Sequence, residues 1–226
     1  MEGADVRWSA NDALGIFSGT KFVNAKFTTK DDNAASATFT GDATDAEGTE
    51  AAKAFAYYPY AAGATLEGTT VSGLEIPAVQ TFAEGTFATT LNPMAAVGED
   101  HTSLAFRSVG AVLRFKLTGT DTFNKLILTG NNDESIAGAY ALDFSGEVPA
   151  MTFSGEGKSI TVTCASDVTL KTDVATEVHF VVPAGIEFTK GVSLKIVHSY
   201  YSWDAGDVNK DCLLYTSPSP RDRQKS

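Results

Sequence analysis

Apolar and polar residues alternate one for one through most of this chain, most cleanly in 103–140, SLAFRSVGAVLRFKLTGTDTFNKLILTGNNDESIAGAY. There Val109, Ala111, Leu113, Phe115 and Leu117 alternate with Gly110, Val112, Arg114, Lys116 and Thr118. That is the period of a strand with one buried and one wet face, and it excludes a helix. A turn over 118–121 leads to a second strand starting at Leu126 and Leu128, and the GNNDE cluster closes it with residues that tolerate positive φ. Both are expected as central strands of a β-sandwich.

The period recurs on either side. In 6–29, Trp8, Leu14, Ile16 and Phe17 flank an Asn11-Asp12 turn, and Phe22, Val23 and Phe27 begin another strand. Residues 37–40 form a short strand before the acidic loop GDATDAEGTE. In the aromatic run AFAYYPY, Phe55 and Tyr57 point one way and Tyr58 the other, and Pro59 ends the strand or places it on an edge. Residues 61–101, punctuated by Pro77 and Pro93, read as turns and short extended pieces. Beyond Gly146 three more half-buried strands follow, with Ile160, Val162 and Cys164, then Val178, Phe180 and Val182, then Val192, Leu194 and Ile196 on their apolar faces. Gly155, Gly157, Pro183 and Gly185 supply the turns between them. The expected fold is all-β: one sandwich over 1–146 and a second, with too few strands to close, over 147–211.

The tail 212–226, CLLYTSPSPRDRQKS, shares neither the alternation nor the acidity of the rest. One back-translation of its first part resembles a transposase-end sequencing adapter, so the tail is read as non-native and disordered, with the natural sequence interrupted near Asp211. Without its three basic residues and one acid the chain carries 14 Lys and Arg against 27 Asp and Glu, a net charge of −13 compared with −11 for the whole. A field of that sign repels phosphate backbones and anionic lipid heads, which disfavours nucleic acid and basic-patch membrane binding. Cys164 is then the one natural cysteine, read as a small buried hydrophobe. No run approaches the length of a spanning helix. Met1 precedes EGADVR rather than a leader, so the chain is either cytoplasmic or has lost one.

Motifs for chemistry are missing: no GxSxG, HExxH, CxxC or glycine-rich loop opening a helix. No catalytic, cofactor or metal residue is assigned, and no enzyme is expected. His101, His179 and His198 are scattered and read as margin residues. Asp42, Asp45 and Glu47 do not have calcium-loop spacing. Asp207, Asn209 and Asp211 do have the first three positions of one, but Cys212 stands where its glycine would be, so a polar turn is the preferred reading. Tyr57, Tyr58 and Tyr60, and separately Tyr201 and Trp203, are candidate sugar platforms, with packing the preferred reading of both groups.

Several of these residues, in this order, resemble the fimbrillin family of Bacteroidales: Trp8 with Asn11-Asp12 and Gly15-Ile16-Phe17, then Ala56-Tyr57-Tyr58-Pro59-Tyr60, Gln80, Phe106 with Gly110-Ala111-Val112-Leu113 and Phe115, and Gly138-Ala139-Tyr140. The resemblance spans residues 8–203. It implies two sandwich domains of transthyretin-like Greek-key topology in an exported lipoprotein of the outer membrane and cell surface, its leader and lipidated cysteine lying outside this sequence. It further implies a type V pilus subunit or accessory protein. Its partners would be other pilin subunits, joined by β-strand addition, and a host or bacterial surface protein or glycan as adhesion target. The alternative is a glycan-binding surface lipoprotein on the same scaffold.

Overall fold

The computed structural model describes residues 6–41 and 47–198, and every regular element among them is a strand. The all-β expectation holds. A six-stranded sheet contains β1 (Ala13–Ser18), β2 (Phe22–Thr29), β3 (Phe39–Gly41), β4 (Ala54–Tyr58), β9 (Met94–Gly98) and β10 (Arg107–Ser108), in the order β10-β9-β4-β1-β2-β3. Against it lies a four-stranded sheet, β14-β13-β6-β5, built from β5 (Thr65–Glu67), β6 (Thr70–Ile76), β13 (Gly138–Asp143) and β14 (Ala150–Phe153). Phe17 and Tyr57 from the first sheet pack with Val71, Leu74, Ile76, Tyr140 and Leu142 from the second.

A second pair of layers follows the same rule. The five-stranded sheet β17-β12-β15-β7-β8 comprises β7 (Val79–Ala83), β8 (Thr86–Phe87), β12 (Thr122–Gly130), β15 (Ser159–Thr169) and β17 (Val192–His198). Facing it are β11 (Gly110–Leu117) and β16 (Thr176–Pro183) alone. Phe123, Leu126, Leu128, Ile160 and Val162 meet Val178, Phe180 and Val182 in the core between them. Among the described residues all pairings are antiparallel except β7 with β15.

Three expectations need correction. The sheets do not divide the chain at Gly146: β13 and β14 pair across it, while β11 pairs with β16 and β12 with both β15 and β17. The chain instead passes between the layer pairs after β6, β8, β10, β12 and β14; at the third passage the Val109 amide donates to the Pro93 carbonyl (2.9 Å), and a Cβ at Gly110 would fall 2.6 Å from the Pro93 ring. Next, β11 is not a central strand, since among the described residues it pairs with β16 alone. The turn between β11 and β12 carries the chain from the thin layer to the thick one, and only β12 is central.

Residues 61–101, finally, hold β5 through β9 rather than turns and scraps. What hides β6 is a bulge. Leu74 lies opposite Tyr140 and Val71 opposite Leu142, so three residues on one strand span two on the other, with Gly73 at φ 82° between them. Its apolar positions therefore run 71, 74, 76. In β2 the same device around Asn24, φ 53°, keeps Phe22, Ala25 and Phe27 buried while Val23 is 71% exposed.

Candidate functional site

The six-stranded sheet is apolar on both faces but, among the described residues, has a partner sheet on one. In β4, Phe55 and Tyr57 face the four-stranded sheet, while Ala54, Ala56 and Tyr58 face outward. In β1 and β9 the outward set is Leu14, Ile16, Met94 and Ala96. A strand buried on both faces reads as a nearly continuous apolar run, which is why ALGIF and AFAYY lack the alternation seen in β11. Gly15 adds to the fit, because a Cβ there would lie within 2.6 Å of three Tyr57 atoms.

What covers the outer face is a rim of side chains, Phe39 from the edge strand β3 and Trp8, Leu104 and Phe106 from connecting segments. Trp8 makes edge contacts with Phe39, Tyr58 and Phe106 at 5.0, 5.3 and 5.3 Å between ring centres. The rim leaves a groove of about 600 Å³ whose floor is Leu14, Ile16, Phe27 and Met94. At one end His101 lies against the Phe22 ring, 4.7 Å between centres, and its Nδ1 is 2.9 Å from Glu50. Lys21 donates to the other Glu50 oxygen at 3.3 Å. The hydrogen bond with His101 holds the Glu50 carboxyl below its ordinary range against the opposing effect of desolvation, and Lys21 adds to it.

Beneath the groove, Tyr58 donates to the buried Asp12 carboxylate (2.6 Å) and accepts from the Thr90 amide (2.9 Å). Burial, and then the Asp12 charge, push the Tyr58 hydroxyl well above its ordinary value. On the opposite face Tyr57 donates to Asn24 at 2.6 Å, and burial pushes it up to about 12. Both rings are core, 0% and 4% exposed, so neither is open for a sugar to stack on. Tyr60 is half-buried with the Lys26 ammonium 5.4 Å from its ring centre.

The three histidines stand apart, His101 at the groove, His179 on β16 and His198 at the end of β17. Among the described residues no cluster of three or more His, Cys, Asp and Glu side chains is placed to hold a metal. Cys164 is half-buried and free, and burial raises its thiol pKa. Asp42 and Asp45, the calcium-like Asp207, Asn209 and Asp211, and the Tyr201–Trp203 platform lie outside the described residues.

Of the sequence-stretch residues singled out above, Trp8, Asp12, Gly15, Tyr57, Tyr58 and Phe106 converge on the two-faced sheet. The groove itself was not legible, because Phe39 sits in a strand of three residues, too short to show which face it presents, and Leu104 looks like an isolated apolar residue in a polar loop. No protein family, curated protein or solved structure matches the chain.

Proposed function

We propose that this chain is a structural or adhesive subunit, or an accessory protein, of a bacterial surface fimbria, whose full-length parent assembles by strand addition. The observation that carries the reading is the outer face of the six-stranded sheet. It is apolar enough to need a second layer, yet mostly loops cover it in place of strands and leave a groove of about 600 Å³. An extended donor segment fits such a surface through alternate side chains, and four or five of them would contribute roughly 1.5–3 kcal/mol each. Backbone hydrogen bonds to a sheet edge add about 0.5–1.5 kcal/mol apiece. The motif resemblance to fimbrillins supports the same reading, with lipoprotein export to the cell surface as its corollary. Pilin partners follow from it too.

The test uses the full-length parent. After proteolytic processing it should form ladders that resist boiling in detergent. Ala105→Trp, at an exposed position on the groove wall, should abolish the ladders while leaving the monomer's melting temperature unchanged. A processed parent that stays monomeric, or an Ala105→Trp variant that polymerises normally, would remove the reading.

A further inference from the structure

A second, smaller cavity of about 140 Å³ lies where the two pairs of layers meet, lined by Phe87, Val112, Asn92 and His179 among others. Its walls are mostly carbon, yet two buried nitrogens with no protein hydrogen-bond partner among the described residues belong to its lining side chains: Asn92 Nδ2 and His179 Nδ1. Asn92 is 3% exposed, and its amide orientation is set by Ser108 Oγ donating to Oδ1 at 2.7 Å, which leaves Nδ2 as a donor without a partner. The Thr86 backbone beside the His179 ring favours its proton, against the larger effect of burial. In the neutral tautomer with the proton on Nε2, the unpartnered Nδ1 is an acceptor.

Buried polar groups without partners are uncommon because each forfeits its hydration. Here one donor and one acceptor share a single apolar cavity. A hydroxyl satisfies both as a water would, accepting from Asn92 and donating to His179, and it can bring with it the carbon that the rest of the lining favours. A carboxylate offers nothing to a neutral Nδ1, and a primary amide brings further donors and lone pairs into an apolar lining. A cavity of this size, near 150 Å³, is known to take one benzene-sized ring. We infer that the cavity between β8, β11 and β16 is a binding site for a small aromatic hydroxyl, a phenol ring with its oxygen between Asn92 and His179. The site is separate from the groove of the proposed fimbrial role and does not depend on it.

Phenol and benzene, titrated into the intact chain and followed by amide chemical shifts, test the assignment. Phenol should bind saturably, at least tenfold more tightly than benzene, with the largest shifts at Thr86, Phe87, Val112 and His179. Val112→Phe starts from a position 38% exposed and fills the cavity from its rim, so it should abolish phenol binding while the fold is kept. Acid should weaken binding, because protonation turns Nδ1 into a second donor. Desolvation moves that titration below the ordinary histidine value; of the charges nearby, Glu177 opposes this and Arg114 adds to it. The peptide Gly-Tyr-Gly in place of phenol distinguishes a partner's tyrosine from a free small molecule, and binding of either supports the site. Equal affinities for phenol and benzene, affinity unchanged in acid, unimpaired binding to Val112→Phe, or no saturable shift, as for a cavity that only takes water, would each overturn it.

Discussion

The two pairs of layers obey one rule of alternation and arrive at different degrees of burial. Where six strands face four, Tyr57, Val71 and Leu142 are wholly enclosed. Where five face two, the inward residues of β11, namely Ala111, Leu113, Phe115 and Leu117, stay half-buried, as do Val192, Leu194 and Ile196 of β17. Side-chain chemistry does not separate them, since Leu, Val and Phe line both. The difference is the width of the opposing layer: a pleated face is dry only as far as the sheet across from it extends. In the first pair this leaves the surplus outside, as a third apolar face under loops. In the second it leaves the deficit inside.

Truncations of matched leucines break or sharpen that contrast most strongly. Leu142→Ala, at a position with no exposure, should cost about 2–5 kcal/mol. Leu113→Ala, at an already half-wet position, should cost roughly half as much. Denaturation midpoints compare the two, and equal losses would mean that the thin layer protects its core as well as the thick one.

Within the second pair, one side chain joins the two layers. Gln80, 1% exposed, accepts from the Val181 amide at 3.0 Å and donates to the Val181 carbonyl at 2.7 Å, so its side chain extends the ladder from β7 onto β16. Through β7 and β16 this amide ties the thick layer of the second pair to the thin one. Gln80→Ala leaves both Val181 groups buried and unpaired, at a cost of about 2–3 kcal/mol. The loss should appear chiefly as faster hydrogen exchange in β11 and β16. Uniform loss across all four sheets would show the molecule to be a single cooperative unit instead.

Alkali should strike the first pair of layers. Tyr57, Tyr58 and Tyr140 are all buried in or around it, and burial raises the pKa of each, Tyr57 to about 12. A phenol whose folded pKa lies above its unfolded one favours folding below about pH 10, and the advantage is lost as the pH climbs through the folded value. Exchange in β4, β6 and β13 should therefore accelerate between about pH 10 and 12 before exchange in β12 and β15 does. Tyrosinate absorbance provides the parallel readout.

How much of this could be read from the chain depends on where two-residue alternation survives. It survives in β11, β12, β15, β16 and β17, and there both the strand and its buried face were legible. It fails in β6 and β2 because Gly73 and Asn24 add a residue to one side of a ladder, and in β1 and β4 because both faces are covered. Pairing was less legible still. Nothing local in β11 distinguishes β16 from β12 as its partner, since the choice is made by how the chain passes back and forth between the layer pairs. As for the groove, its rim comes from Trp8, Phe39, Leu104 and Phe106, which meet only after the sheet has formed.

The weakest expected effect probes the thin layer directly. On the wet face of β11 and β16, Lys116 and Arg114 flank Glu177 at 3.1 and 3.8 Å, across the register that sets Lys116 opposite Glu177 and Arg114 opposite His179. The Lys116 hydrogen bond, then the charges of Lys116 and Arg114, lower the Glu177 pKa against desolvation. A carboxyl with a depressed folded pKa stabilises above its unfolded pKa and loses that contribution as the pH falls through the folded value. Because the group is solvated and screened, the contribution is small and salt-sensitive. Glu177→Gln should therefore slightly accelerate exchange in β11 and β16 at neutral pH and low salt. The difference from the parent should vanish in molar salt, where the Debye length falls to about 3 Å, and also in acid. An effect that persists in molar salt would mean that Glu177 acts through its direct hydrogen bond to Lys116 rather than through its charge; an effect that vanishes leaves the pairing to packing such as that of Phe115, whose ring meets that of Phe180 edge-on at 5.7 Å.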